Sequence, residues 1–187
     1  MQGSIGGNLC HASPVADGVP PLLALDARLE LASARGVRLL PLAEFLLGRR
    51  RTALLADELL VAVSCALPHA QDRTAFVKCT NRDGTAIAVV SAVVRLSISA
   101  DDTIGKLAIG VGGASEVARR MRALEASLEG RRRAEAARLI EGAPLPELAP
   151  IDDCRAPAAH RLHRARVAIA RAFNDCFEET GHDVSSA

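Results

Sequence analysis

Two long apolar runs joined by a short acidic turn place the strongest constraint on how this chain folds. The first, AIAVVSAVVRLSIS, spans residues 86–99 and is rich in β-branched residues, which favour strands. The second, IGKLAIGVGG, spans residues 104–113 and ends in a glycine pair. Asp101 and Asp102 lie between them and are typical of a turn. The runs therefore predict two antiparallel strands joined by a tight connection.

Helical patterns follow this strand pair. Residues 116–130 carry apolar side chains at helical spacing, and Gly130 is a stop signal. Further helices are predicted over residues 132–142 and from about 155 to 178, where Asp152 and Asp153 precede the last helix as N-terminal caps. The apolar stripe of the first helix consists of Val117, Met121, Leu124 and Leu128. Strands followed by helices predict an α+β domain, a small antiparallel sheet with helices packed on one face.

The first third of the chain differs in pattern, with a glycine- and proline-rich stretch followed by short alternating runs. Residues 1–19 are expected to form a loop, because glycine and proline recur through them. Alternating apolar residues over 27–33 and 37–42 predict a β-hairpin. A short helical turn is predicted over 42–48, where it ends at Gly48.

A linker divides the chain into two expected domains. A strand is predicted over residues 58–67 and another over 74–80, with a polar connection at 68–73 between them. We therefore expect domains at residues 1–68 and 74–180. We find no internal repeat.

The charge and the aromatic content exclude two classes of partner. The formal net charge is +1, so the sequence gives no electrostatic reason to expect binding to nucleic acid or to an anionic membrane. The chain has four Phe and no Trp or Tyr, which leaves few stacking platforms for single-stranded nucleic acid. No apolar stretch approaches the length of a membrane span.

The cysteines favour a reducing compartment. Their number is odd and no CxxC pair occurs, so neither a disulfide framework nor a zinc knuckle is predicted. No basic stretch followed by an apolar run marks a signal peptide. We expect a cytoplasmic protein. The five cysteines are Cys10, Cys65, Cys79, Cys154 and Cys176.

The opening stretch, MQGSIGGNLCHASPVAD, has the chemistry of a loop that wraps a phosphate. Successive glycines at Gly6 and Gly7 let backbone approach a ligand and leave N–H groups free to donate. Asn8 adds a side-chain donor, and Asp17 can accept hydrogen bonds from a sugar or a nucleotide edge. On these residues alone an ordinary turn is the favoured interpretation, since the spacing matches neither glycine fingerprint for dinucleotides or nucleoside triphosphates.

Three other motifs have a plain structural explanation beside a functional one. GVGGAS at 110–115 resembles a phosphate loop but fits a tight turn after a strand equally well. His160 and His163 have a spacing that can ligate metal, although a solvated basic helix face explains them better. Cys10 beside His11 suggests a nucleophile, yet adjacent side chains in an extended segment point apart.

The order of motifs resembles a known family. GSIGGNLCHASPVAD is similar to the second flavin-binding motif of the FAD-binding subunits of molybdenum hydroxylases, the family of the xanthine dehydrogenase flavin domain and the medium subunit of aerobic carbon monoxide dehydrogenases. The segments PPLLALDARLELASARGVRLLPLAEFL, DELLVAVSCALP and FVKCTNRDGTAIAVVSAVVRL follow in the family's order. Two further segments correspond to the rest of the family's C-terminal domain: AIGVGGASEVARRMRALEASLEG and IDDCRAPAAHR. The resemblance implies part of a PCMH-type FAD-binding lobe followed by the family's C-terminal α+β domain.

The resemblance also assigns roles to residues. A first group would contact the FAD pyrophosphate, and Asp17 would serve as a hydrogen-bonding acid. Leu60 would lie near the apolar contact to the flavin ring, and Lys78 would stabilise negative charge on the reduced ring. The pyrophosphate group consists of Ser4, Ile5, Gly6, Gly7 and Asn8.

The sequence departs from the family pattern at two places. SCALP is one or two residues longer than usual, which shifts the register near Leu60. Thr85 follows Gly84 where the family often has Asp. The family also has a pair of arginines nearby, of which this sequence has only Arg82.

The resemblance implies a function and partners. The chain would be a flavin-domain fragment or split subunit of a molybdopterin-dependent hydroxylase, holding FAD that receives electrons from [2Fe–2S] clusters. Its partners would be a molybdopterin-binding large subunit, a [2Fe–2S] small subunit and a chain supplying the first glycine-rich lobe, which the sequence lacks before its own motif; a homodimer is also compatible. The alternative is a flavin-free relative that binds a small molecule or acts as a cyclase or isomerase.

Overall fold

The computed structural model describes residues 3–81, 86–153 and 156–178. It contains helices and antiparallel strands in two parts that pack against each other. The first part comprises α1 (Ile5–His11), α2 (Val19–Ala24), β1 (Arg28–Ser33), β2 (Gly36–Pro41), α3 (Leu42–Phe45), β3 (Leu46–Gly48), β4 (Arg51–Thr52) and β5 (Leu59–Ser64). The second comprises β6 (Arg73–Cys79), β7 (Val90–Ile98), β8 (Ile104–Gly112), β9 (Arg119–Arg120), α4 (Arg122–Leu128), α5 (Arg133–Gly142) and α6 (Ala158–Asp175).

A three-stranded sheet of order β2-β1-β5 organises the first part. The predicted hairpin is confirmed, since β1 and β2 pair antiparallel from Arg28 opposite Pro41 to Ser33 opposite Gly36. The predicted strand at 58–67 is confirmed as β5, which pairs with the other edge of β1. The helical turn predicted over 42–48 is shorter, because its last residues, 46–48, pair with β4 as strand β3.

The expectation of a loop over residues 1–19 is wrong, because this stretch begins a helix at Ile5 and a second at Val19. Ser4 caps α1, with its Oγ accepting the Gly7 N–H at 3.0 Å. Leu9 anchors the same helix in the core and is fully buried. The helix forms because a cap and a buried side chain outweigh the poor helical propensity of two glycines.

The second part is built on a four-stranded antiparallel sheet of order β6-β7-β8-β9. The strand pair predicted from the apolar runs is confirmed, with Ser91 opposite Gly112 at one end and Ile98 opposite Ile104 at the other. The helix predicted over 116–130 starts only at Arg122, because the preceding residues 119–120 pair with β8.

The two faces of this sheet pack against different elements. Val94 and Leu96 of β7 share a core with Ile169 and Phe173 of α6, so the domain's own helices lie on one face, as predicted. Val93 points to the other face because side chains alternate along a strand, and there it packs with Ala108 of β8 and Ala24 of α2. The sheet therefore holds the first part of the chain against its second face.

Of the two residues predicted to cap α6, only Asp152 binds a helix N–H, because Asp153 pairs with Arg161. The N-cap position itself is Pro157. Asp152 Oδ1 accepts the N–H of Ala158, the first residue of the helix, at 2.5 Å. The predicted start near 155 falls on a residue that the structure does not describe, and the last helical residue is Asp175. In the described ranges, no helix combines the length and apolar character that crossing a membrane requires. The cytoplasmic location stays a prediction.

Candidate functional site

A groove of about 1190 Å³ lies where the two parts of the chain meet. One wall is α1 with the segment that follows it, and the other is the end of β6 with the approach to β7. The lining residues come from two segments far apart in sequence, residues 3–22 and residues 78–87. They are Gly3, Ser4, Ile5, Gly7, Asn8, His11, Ser13, Val15, Ala16, Asp17, Gly18, Leu22, Lys78, Ala86 and Ile87.

The start of α1 presents its backbone to this groove. The first N–H groups of a helix have no carbonyl acceptor within the helix, and since Ser4 Oγ accepts that of Gly7, those of Ile5 and Gly6 remain for a ligand. Gly7 is exposed and lines the groove, and the space where a Cβ at Gly3 would point is open to 4 Å. At Gly7 a Cβ would lie 3.1 Å from Ser4 Oγ, the oxygen that caps the helix. A larger residue at position 7 would crowd the cap.

Gly6 belongs to the other side of α1. A Cβ at Gly6 would lie 3.2 Å from Leu60 Cδ2, so the helix and β5 approach closely here and a side chain would require Leu60 to shift. Leu60 is half-buried, packs on the core of the first part and is not among the groove residues. The structure thus places Gly6 and Leu60 behind the wall, whereas Ser4, Ile5, Gly7 and Asn8 are on it.

Asp17 and Lys78 meet across the groove. Lys78 Nζ donates to Asp17 Oδ2 at 2.7 Å, although the two residues are 61 positions apart. Their side chains are 31% and 45% exposed for Lys78 and Asp17, so both remain open to a ligand. The pair joins the segment after α1 to strand β6 and places a cation and an anion at the same mouth.

Glycines at the end of β8 allow residues 14–20, which follow α1, to pack closely on the second sheet. The Gly113 N–H donates to the Pro14 carbonyl at 2.8 Å. Gly113 has a φ of +81°, and a Cβ there would overlap the Val89 carbonyl oxygen. Gly110 and Gly112 belong to β8 and approach Pro20 of α2 closely. GVGGAS is therefore a packing and turn element, and its interpretation as a phosphate loop is wrong because its glycines are buried.

Sequence reasoning missed several lining residues. His11, Ser13 and Val15 belong to the same small-residue run as the predicted site, so the run itself was the signal for them. Leu22 and Ile87 had no such signal, because they reach the groove only through the packing of α2 and the approach to β7.

The alternative motifs gain no support. Arg164 Nε lies 3.2 Å from His160 Nε2, and the described residues contain no group of three or more side chains able to hold a metal ion. Burial raises the pKa of the Cys10 thiol, which disfavours the thiolate that a nucleophile needs. The departures at Arg82, Gly84 and Thr85 lie outside the described residues.

Both parts of the chain match known families. Residues 1–69 match the family described as FAD binding domain in molybdopterin dehydrogenase. Residues 74–176 match the CO dehydrogenase flavoprotein C-terminal domain.

Curated relatives carry related names. The nicotinate dehydrogenase FAD-subunit of Eubacterium barkeri is 39% identical over 103 residues, which are 54% of this chain and 34% of that protein. The xanthine dehydrogenase FAD-binding subunit of Escherichia coli O157:H7 is 27% identical over 178 residues, 94% of this chain and 61% of that protein. The chain thus spans between about a third and three fifths of the length of these relatives.

Solved structures share the fold. The reconstituted CO dehydrogenase from Oligotropha carboxidovorans has a chain with a TM-score of 0.82 and 26% identity, covering 92% of this chain and 60% of that chain. Quinoline 2-oxidoreductase from Pseudomonas putida 86 gives a TM-score of 0.79 and 28% identity, covering 93% of this chain and 60% of that chain. These matches do not favour the flavin-free alternative. Taken with the two family matches, they show that the chain belongs to the FAD-binding flavoprotein subunits of molybdopterin dehydrogenases.

Proposed function

We propose that this chain holds FAD in the groove and orients it for electron transfer within a molybdopterin-dependent hydroxylase. The observation that carries the proposal is the convergence of Ser4, Gly7, Asn8, Asp17 and Lys78 on one groove. The family assigns FAD to the chain, and the groove supplies the place where these residues would act.

The groove fits a dinucleotide in size and in donors. Its volume of about 1190 Å³ exceeds what a drug-sized ligand fills, as an elongated cofactor requires. The start of α1 and the Asn8 amide donate hydrogen bonds suited to a diphosphate. Lys78 supplies a positive charge, and Val15, Leu22 and Ile87 offer apolar contacts.

Each residue has a task in this proposal. Ser4 fixes the first turn of α1, so that the N–H groups of Ile5 and its neighbours point in one direction. Gly6 lets the helix rest on Leu60, which keeps that wall in place although Leu60 lies outside the groove. Asp17 holds Lys78 at the mouth, where its ammonium group stabilises nearby negative charge. When bound, FAD supplies the redox chemistry that these side chains lack.

We further propose the assembly in which the chain works. Its relatives include proteins named as FAD-binding subunits and one named as a subunit of a dehydrogenase complex. A molybdopterin-binding large subunit and a [2Fe–2S] small subunit would supply electrons. The domain limits at 1–68 and 74–180 stay a prediction, since the groove draws on both parts.

Flavin binding by the purified chain tests the proposal. We expect a flavin absorption band on the protein after addition of FAD and gel filtration, and quenching of FAD fluorescence on titration. The variant Gly7→Val should lose this binding, because its side chain would crowd the Ser4 cap and cover the backbone donors.

A second glycine gives the matched control. Gly142 ends α5, lies outside the groove and has open space for 4 Å around the point where a Cβ would lie. Gly142→Val should therefore bind FAD as the wild type does. Retention of FAD by Gly7→Val at the wild-type affinity would remove α1 from the site.

A further inference from the structure

Arg161 is a buried cation that binds two backbone carbonyls close to the groove. Its side chain is 3% exposed, and one nitrogen, Nη1, donates to the carbonyls of Val89 at 2.9 Å and Gly113 at 2.8 Å. Nη2 forms an ion pair with Asp153. The guanidinium belongs to α6, on the far side of the sheet from α2.

Neither carbonyl acceptor lines the groove, but each residue is linked by a backbone hydrogen bond to a segment that does. Val89 ends the segment that begins with the groove residues Ala86 and Ile87, and its own N–H donates to the carbonyl of Cys79, the neighbour of Lys78. Gly113 donates to the carbonyl of Pro14, which lies between two groove residues, Ser13 and Val15. Arg161 thus binds one residue linked to the Lys78 wall and one linked to the Asp17 wall, in addition to the Lys78–Asp17 ion pair and the pairing of β7 with β8.

The burial of Arg161 is costly in itself. Its Nε is buried and has no hydrogen-bond partner among the described residues. An unpaired N–H on a buried cation destabilises a fold, so stability alone is a poor explanation for this residue. The carbonyl pair is the feature that an apolar side chain of similar size would not provide.

We infer that Arg161 is a positioning residue for the cofactor groove, acting through Val89 and Gly113 rather than by contact with the ligand. The inference rests on the proposed function, because it gives the groove its purpose. A lysine at this position keeps the charge but lacks the planar guanidinium. Arg161→Lys would therefore lose at least one of the hydrogen bonds to the Val89 and Gly113 carbonyls.

Arg166 offers the matched control on the same helix. Its Nε donates to the Ala143 carbonyl at 3.0 Å, and neither residue lines the groove. Arg166→Lys therefore removes a comparable bond of α6 with no link to either wall.

Hydrogen exchange of the free chain and FAD titration together test the role. In Arg161→Lys we expect amide exchange at Gly113 and Val89 to accelerate about tenfold or more, with the β1 amides unchanged, since a bond to a charged donor contributes on that scale. FAD affinity should fall by a similar factor, measured well below the melting temperature. Arg166→Lys should change neither quantity by more than about twofold.

Each remaining outcome decides the matter. Unchanged exchange at Gly113 and Val89, or faster exchange with unchanged FAD affinity, would overturn the role of Arg161. A wild-type chain that binds no FAD contradicts the proposed function instead, and the exchange rates still decide whether Arg161 holds the walls. If Arg161→Lys does not fold, Asp153→Ala removes the ion pair while leaving Arg161 in place, and it should show the same changes in smaller measure; no change in that variant would contradict the inference.

Discussion

The contact between α2 and the second sheet depends on the absence of a side chain at Gly110. A methyl group there would lie 2.5 Å from the Pro20 carbonyl oxygen and 3.0 Å from Val93 Cγ1. Real Cβ atoms essentially never come within 3.0 Å of another heavy atom, so α2 or β8 would have to move by about half an ångström. Pro20 and Pro21 restrict the backbone of α2, so the strain is not relieved by a local rotation.

We therefore expect Gly110→Ala to destabilise the chain. Overpacking of this kind costs about 1–3 kcal/mol. For a chain of this size, this cost lowers the melting temperature by about 2–12 °C. Thermal unfolding followed by circular dichroism measures the change.

The control uses a glycine with free space. Gly142→Ala adds the same methyl group where nothing lies within 4 Å, so its melting temperature should stay within about 2 °C of the wild type. A Gly110→Ala protein that melts at the wild-type temperature would show that α2 does not rest on β8 as closely as described, and the groove wall it supports would need another explanation.

Two further predictions concern titratable groups. Hydrogen bonds from Arg38 and from the Leu55 N–H lower the pKa of Glu58 from 4.5 to about 2. The folded-state pKa is the lower one, so the stabilisation is complete above pH 4.5 and is lost as the pH falls towards 2. Urea midpoints of the wild type and Glu58→Gln should therefore differ at pH 7 and converge towards pH 2, and a gap that does not change with pH would contradict this. Burial, assisted by the Asp175 carboxylate, raises the pKa of Cys176 to about 12, whereas Cys65 is exposed. Iodoacetamide at pH 8 should alkylate Cys65 and leave Cys176 unmodified in the native protein, as mass spectrometry of the digested protein would show; rapid alkylation of Cys176 would contradict its burial.

Local patterns were sufficient where a segment's structure depends on its own residues. The hairpin of β1 and β2, the pairing of β7 with β8, and α5 follow from alternation, turn residues and helical spacing. The cap of α6 at Asp152 follows from the same local chemistry.

Local patterns failed where distant contacts decide the structure. Helix α1 contains two glycines and forms because Leu9 is buried beneath it. Strand β9 lies where the spacing predicted a helix, because two residues pair with β8 instead. In both places a tertiary contact outweighs the intrinsic preference of the segment.

The candidate site divides in the same way. The family was recognisable from the motif at the N-terminus and the order of the segments, and the family matches confirm it, whereas the roles of Ser4, Gly7 and Lys78 stay predictions. That Asp17 and Lys78 lie 2.7 Å apart, that Leu60 supports Gly6 from behind, and that Ile87 joins the groove were not recognisable.

The sequence by itself determined the elements and the chemistry: which segments form strands, which residues can donate to a diphosphate, and which family the chain resembles. Only the tertiary structure decided how the groove is assembled, since its walls come from two parts that meet where Gly110 packs on Pro20, Gly113 donates to Pro14 and Lys78 pairs with Asp17. The physical reason is the sequence separation over which each interaction acts. Propensity, alternation and capping act within a few residues, whereas close packing and buried hydrogen bonds join residues that no local pattern relates.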